Sequence, residues 1–150
     1  MKIYFKNSVI PLLAGSIGLS PFLSIQAETA PDVTWTKLLG TSTFDIGYGV
    51  ATASDGSIFI TGYTFGDLDG ETNPGSLEAF LTKYASDGTK AWTKLLGTLN
   101  AEFSYGVASV SDGSVYVTGN TSGDLDGETN AGSYDAVSYT HLRAHETNVD

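Results

Sequence analysis

Two copies of one acidic loop contain the residues best suited to chemistry in this sequence. The loop reads GDLDGETN at residues 66–73 and again at residues 123–130. Its side-chain oxygens recur at alternate positions, which suits a hard cation such as calcium, because calcium is bound by several oxygen ligands. The candidate ligands are Asp67, Asp69, Glu71 and Asn73 in the first copy, and Asp124, Asp126, Glu128 and Asn130 in the second.

The same composition also has an interpretation without a metal, because Asp, Asn and Gly are common turn-forming residues. The loop departs from the EF-hand pattern: its glycine is fourth from Asp67, and Thr72 holds the sixth place. Turn formation is therefore the favoured interpretation, with calcium as the alternative, and no other cofactor is predicted.

The sequence shows no set of residues typical of an enzyme. Both histidines, His141 and His145, lie in the last segment of the chain, and their spacing does not match the HExxH zinc motif. Asp67 and Asp69 are close in sequence, but alternation along an extended segment directs them to opposite sides. We therefore predict a non-catalytic protein.

Four aromatic residues recur at equivalent places in two halves of the chain: Trp35 with Trp92, and Tyr48 with Tyr105. Their expected role is packing between neighbouring structural units. Stacking against a sugar ring is the functional alternative.

These residues lie in an internal repeat. The stretch Trp35–Ala79 is repeated without gaps at Trp92–Ala136, and 29 of 45 aligned positions are identical. Repetition at a period of about 57 residues is typical of solenoids, propellers and other arrays.

The repeat predicts short antiparallel strands and no helix, because Gly is frequent and no apolar stripe has helical spacing. Ser-Asp-Gly triplets at residues 54–56, 86–88 and 111–113 predict hairpin turns. Ile58–Ile60 is apolar in succession, so that strand is expected to be covered on both faces. The predicted strands are Val33–Leu39, Tyr48–Ala53, Ser57–Thr64, Glu78–Ala85, Thr89–Leu96, Tyr105–Val110, Ser114–Thr121 and one opening at Tyr134.

The motifs GYGVA, SDGSIFITGYT, LDGETNPGS and AFLTKYASDGTKAWTKLLGT resemble the bacterial seven-bladed β-propeller repeat, or SBBP repeat. This resemblance covers about residues 33–136. It implies an all-β partial β-propeller with four-stranded antiparallel blades, in an exported protein of a family without a uniform activity. Tyr48 would open the innermost strand, and Thr89–Leu96 would be the outermost.

The repeat region would comprise an outer strand, one full blade and one truncated blade. Propellers typically have about four to eight blades, so we expect a fragment of a longer protein. A β-solenoid with calcium loops is the rival fold, although four antiparallel strands per unit fit it poorly.

The two ends of the chain differ from the repeat. Residues 1–27 have Lys2 and Lys6 followed by an apolar run, which predicts a signal peptide rather than a membrane anchor. Residues 28–32 form a linker. Residues 137–150 depart from the repeat and resemble the translation of a transposase-type sequencing adapter, so we interpret them as an artefact.

Charge and composition restrict the partners. The net charge is −10 and cysteine is absent, which excludes disulfides and disfavours nucleic acid as a partner. We predict a secreted, periplasmic or cell-surface scaffold without a membrane span after signal removal. Its partner would be an unknown protein or carbohydrate ligand. The alternative is the propeller part of a larger extracellular hydrolase or lyase with its catalytic residues elsewhere.

Overall fold

The computed structural model describes residues 30–141, except for the side chain of His141. The chain divides into two units, Met1–Asp32 and Val33–Asp150. Only residues 30–32 of the first unit are described. The predicted signal peptide, residues 1–27, and residues 142–150 of the predicted adapter segment lie outside the described residues.

Seven strands form two antiparallel sheets, and no helix occurs among residues 30–141. This confirms the all-β prediction. The first sheet has the order β1-β2-β3-β4, and the second has the order β5-β6-β7. The strands are β1 (Asp45–Thr52), β2 (Ile58–Thr64), β3 (Glu78–Tyr84), β4 (Lys90–Leu96), β5 (Glu102–Ser109), β6 (Val115–Thr121) and β7 (Asp135–His141). Within the described residues, no helix is long and apolar enough to span a membrane.

The three predicted hairpin turns are confirmed. Gly56, Gly88 and Gly113 have φ angles of 81°, 81° and 89°, a region that glycine adopts without steric cost. In the first turn, the amide of Gly56 donates to the carbonyl of Ala53. The Ser-Asp-Gly triplets therefore close tight connections in β1-β2, β3-β4 and β5-β6.

One predicted strand is wrong. Val33–Leu39 forms no strand, although its sequence nearly repeats that of β4. This segment contacts the first sheet through the side chain of Trp35 and not through backbone pairing. The Trp35 ring stacks on that of Tyr84, with centroids 6.2 Å apart, and its indole N–H donates to the carbonyl of Ser86. A strand requires a hydrogen-bonded neighbour, and no described segment pairs with these residues.

Other boundaries differ slightly. β1 and β5 begin at Asp45 and Glu102, shortly before the predicted starts, because both pair with the end of the following strand. β7 continues past Ala136 to His141 in register with β6, although the sequence predicts that the repeat ends at Ala136 and that residues 137–150 are an adapter artefact. The pairing is favoured because Val137 and Tyr139 alternate towards the apolar core.

The core lies between the two sheets. It is centred on Phe59 and Leu81 of the first sheet and Val115, Val117 and Tyr139 of the second. The sheets approach closely at Gly49, where an added Cβ would lie 3.3 Å from the Cα of Gly106 and 3.2 Å from the amide of Val107. Side chains from both sheets are thus removed from water at one interface.

Candidate functional site

Two β-bulges place a tyrosine at the same point of each sheet. The β1-β2 register shifts between Gly47 and Gly49, and the β5-β6 register shifts between Ser104 and Gly106. The residues skipped by the ladders are Tyr48 and Tyr105. A bulge redirects its side chain and often lies beside a functional site. The sequence identified this pair as recurrent, and the structure brings the two rings together, with centroids 5.4 Å apart.

The two bulge tyrosines belong to a larger group of aromatic side chains that crosses from one sheet to the other. Tyr63 connects the sheets, because its ring lies 5.7 Å from that of Tyr48 and 5.1 Å from that of Phe103. We call the whole group the aromatic surface: Phe44, Tyr48, Tyr63, Phe65, Phe103, Tyr105 and Tyr134.

Much of this aromatic surface is open to solvent. Tyr48 is 52% exposed, Tyr105 45% and Tyr134 52%. Phe44 and Phe65 are also exposed, at 76% and 44%. Exposed and contiguous apolar area of this kind is uncommon on a protein surface and marks interaction sites.

The surface also has hydroxyl groups. A hydrogen bond with Tyr48, followed by burial, raises the pKa of the Tyr63 hydroxyl above its usual value. This hydroxyl therefore stays protonated near neutral pH and can donate as well as accept hydrogen bonds. The arrangement supplies stacking planes and hydroxyl groups.

Five members of the aromatic surface were missed by the sequence analysis. Their counterparts in the other copy of the repeat are not aromatic: for example, Tyr63 corresponds to Asn120, and Phe65 to Ser122. Of the seven residues of the aromatic surface, a search for recurrent aromatic residues therefore finds only Tyr48 and Tyr105. The other five residues are recognised only by the contacts of their rings across the two sheets, which the sequence does not show.

The two tryptophans lie apart from the aromatic surface. Trp92 packs against the core, with its ring 6.1 Å from that of Phe59. Trp35 stacks on Tyr84. These contacts favour the packing role over sugar stacking for both tryptophans.

In the first acidic loop, the predicted ligands are bound by groups of the protein. Lys90 pairs with Asp69, and Lys94 pairs with Glu71 at 2.7 Å. Asp67 accepts the amide hydrogen of Asn73, at 2.9 Å. Burial opposes ionisation of Asp69, but the hydrogen bonds from Lys90 and Thr93 and the charge of Lys90 outweigh it and lower its pKa.

The second acidic loop repeats the backbone but has different surroundings. Asp69 and Asp126 both have positive φ angles, 54° and 51°. Asp126, Glu128 and Asn130 line a cavity of about 390 Å³ beside β7. The corresponding side of the first loop is covered by Lys90 and Lys94 of β4. Among residues 30–141, no group of three or more Asp, Glu or His side chains has the arrangement of a metal site.

One comparison with known proteins gives a match. A β-propeller repeat family model, SBBP, matches residues 91–126. These residues cover most of β4, all of β5 and β6, and part of the second acidic loop. The match confirms the resemblance found in the sequence. No curated protein matches the chain significantly.

Proposed function

We propose that residues 33–136 are part of an exported, non-catalytic β-propeller, and that its aromatic surface binds a neutral carbohydrate. The observation that carries this proposal is the contact between Tyr48 and Tyr105, the two bulge tyrosines of neighbouring sheets. Export rests on the N-terminal sequence pattern, so the ligand would be met in a periplasmic, cell-surface or extracellular setting.

The blade arrangement is supported by the way the sheets repeat. The starts of β5, β6 and β7 follow those of β1, β2 and β3 at one constant interval, which equals the period of the sequence repeat. The two sheets pack face to face through a shared core, as neighbouring blades do. The cavity beside β7 lies on the side of the second sheet that corresponds to β4 of the first, and among residues 30–141 no fourth strand pairs with β7.

The chemistry of the aromatic surface favours carbohydrate over other ligands. Sugar rings have apolar C–H faces and a hydroxyl rim, which match aromatic planes combined with tyrosine hydroxyls. The net charge of −10 disfavours anionic polysaccharides and nucleic acid. A protein ligand would also use exposed aromatic residues, and the experiment below separates these cases.

The test is binding of neutral oligosaccharides to the full chain by isothermal titration calorimetry. A panel of β-1,4-glucan, α-1,4-glucan and chitin hexasaccharides covers three backbone geometries. We expect at least one to bind, and Tyr48→Ala and Tyr105→Ala each to weaken that binding about fivefold or more, because central aromatic contacts each contribute above about 1 kcal/mol.

The matched control is Tyr116→Ala. Tyr116 is 43% exposed, similar to Tyr105, but lies outside the aromatic surface. This variant should bind like the unmodified chain. Binding that is equally reduced by all three substitutions, or absent for every sugar of the panel, would contradict the carbohydrate assignment.

A further inference from the structure

Two acidic side chains from different sheets are buried next to each other. Glu78 begins β3 of the first sheet, and Glu102 begins β5 of the second. Both residues have no solvent exposure. A parallel bridge between Leu77 and Ala101, in which the amide of Glu102 donates to the carbonyl of Leu77, places the two strand starts side by side.

The position of Gly97 shows how close the carboxyl groups are. A Cβ added at Gly97 would lie 2.5 Å from Oε2 of Glu102 and would clash more severely with Oε2 of Glu78. Both oxygens therefore occupy the space beside the same glycine. Two ionised carboxylates at this separation in a buried site would repel each other strongly.

The two carboxyl groups have unequal surroundings. Glu102 accepts hydrogen bonds from the amide and hydroxyl of Thr98 and from the hydroxyl of Thr121. Neither carboxyl oxygen of Glu78 has a hydrogen-bond donor among the described residues. Donors stabilise the charged form of Glu102, whereas burial without donors favours the neutral form of Glu78.

We propose that Glu78 and Glu102 form a proton-sharing pair that joins the two sheets. The protonated carboxyl group of Glu78 donates its hydrogen to the carboxylate of Glu102, which provides the missing partner. At higher pH the proton passes to solvent, two negative charges remain at the interface, and the contact between β3 and β5 weakens.

The surrounding charges are consistent with this assignment. Burial and the charge of Glu102 raise the pKa of Glu78 to about 8. Tyr139 of β7 also faces the pair, and burial together with Glu102, Glu78 and Asp126 raises its pKa well above the usual value, so Tyr139 stays neutral over the relevant range. A proton is favoured over a cation because it requires no additional ligands.

The sign of the pH dependence follows from the raised pKa. An unfolded chain releases the Glu78 proton near pH 4.5, whereas the folded chain keeps it until about pH 8. Between these values the folded state binds one proton more, so stability falls as pH rises. The stabilisation that this proton provides is complete below the pKa of Glu78 in the unfolded chain and is lost above its pKa in the folded chain.

The test is the unfolding equilibrium of the full chain by denaturant titration between pH 5 and pH 8. In the unmodified chain, the loss of the Glu78 proton should raise the unfolding constant by up to about tenfold per pH unit. Glu78→Gln should remove this rise, because the glutamine amide donates to Glu102 without titrating. Asp135→Asn is the matched control, since Asp135 takes the place of Glu78 in the second sheet but is partly exposed and accepts the amide hydrogen of Ala131. It should leave this rise unchanged.

A spectroscopic measurement keeps the proposal testable if Glu78→Gln folds poorly. The infrared carbonyl stretch of a protonated carboxylic acid should be present in the full chain at pH 6 and should disappear on titration to about pH 9. Absence of this band at pH 6 would overturn the proposal. Stabilisation by calcium in the unmodified chain but not in Glu78→Gln would also overturn it, because a cation would then hold the pair.

Discussion

The hydroxyl groups of Thr61 of β2 and Ser104 of β5 contact each other across the two sheets, with 2.7 Å between the oxygens, and the Thr61 hydroxyl also lies 2.6 Å from the carbonyl oxygen of Phe80. Both residues are fully buried. Ser104 in turn donates to the carbonyl of Gly62, at 2.5 Å. The interface therefore contains a satisfied polar chain beside its apolar core, which orients one sheet on the other more specifically than apolar contact alone.

The first prediction concerns this hydrogen bond. Thr61→Val should lower the free energy of unfolding by about 1–2 kcal/mol, because valine has a similar shape but lacks the buried hydroxyl that contacts Ser104 and the carbonyl of Phe80. Thr118→Val is the matched control: Thr118 is the counterpart of Thr61 in the second sheet but is exposed. Urea denaturation of both variants measures the difference. Equal stability losses would contradict the importance of the inter-sheet bond.

The sequence predicted this fold well at the level of strands because the repeat supplies its own comparison. The Ser-Asp-Gly turns at residues 54–56 and 111–113 and the strands on either side of them recur, so each of these segments is supported by a second copy. The prediction of Val33–Leu39 as a strand failed for a physical reason. Its residues match β4, but a strand exists only with a neighbour, and local sequence does not contain that information.

The second prediction concerns the close approach of the β1 and β2 backbones at Gly62. An added Cβ at Gly62 would clash with the carbonyl oxygen of Ile46, a backbone atom that cannot move independently. Gly62→Ala should therefore lower the unfolding free energy by about 1–3 kcal/mol or more, as overpacking does. Gly132→Ala is the control, because nothing lies within 4 Å of its added Cβ. Thermal unfolding followed by circular dichroism compares them, and equal melting temperatures would refute the clash.

The third prediction uses the two tryptophans of the repeat. Trp92→Ala should destabilise the protein by about 3 kcal/mol, because its ring packs against Phe59 and the core. Trp35→Ala should cost clearly less, since Trp35 lies in a segment without strand pairing and stacks on Tyr84 alone among the described aromatic rings. Guanidinium denaturation of both variants provides the measurement. A larger loss for Trp35→Ala would contradict this ranking of the two tryptophans.

The candidate site was less predictable than the fold. Tyr48 and Tyr105 were identified because they recur, but their redirection by bulges depends on the pairing of β1 with β2 and of β5 with β6. Glu78 and Glu102 were not predicted as a pair. They are separated in sequence by the whole of β4 and meet only because Leu77 and Ala101 form a bridge between different sheets.

The fourth prediction concerns calcium and the acidic loops. Calcium at millimolar concentration should not bind the first loop, because Lys90, Lys94 and the amide of Asn73 occupy its carboxylates, so Asp69→Asn should not alter the response of the melting temperature to calcium. Binding there would have to displace two ammonium groups. Lys90→Met together with Lys94→Met should remove these competitors, and the double variant is therefore the more sensitive test. A rise in melting temperature with calcium in the unmodified chain, absent after Asp69→Asn and Asp126→Asn, would contradict this expectation and establish the loops as metal sites.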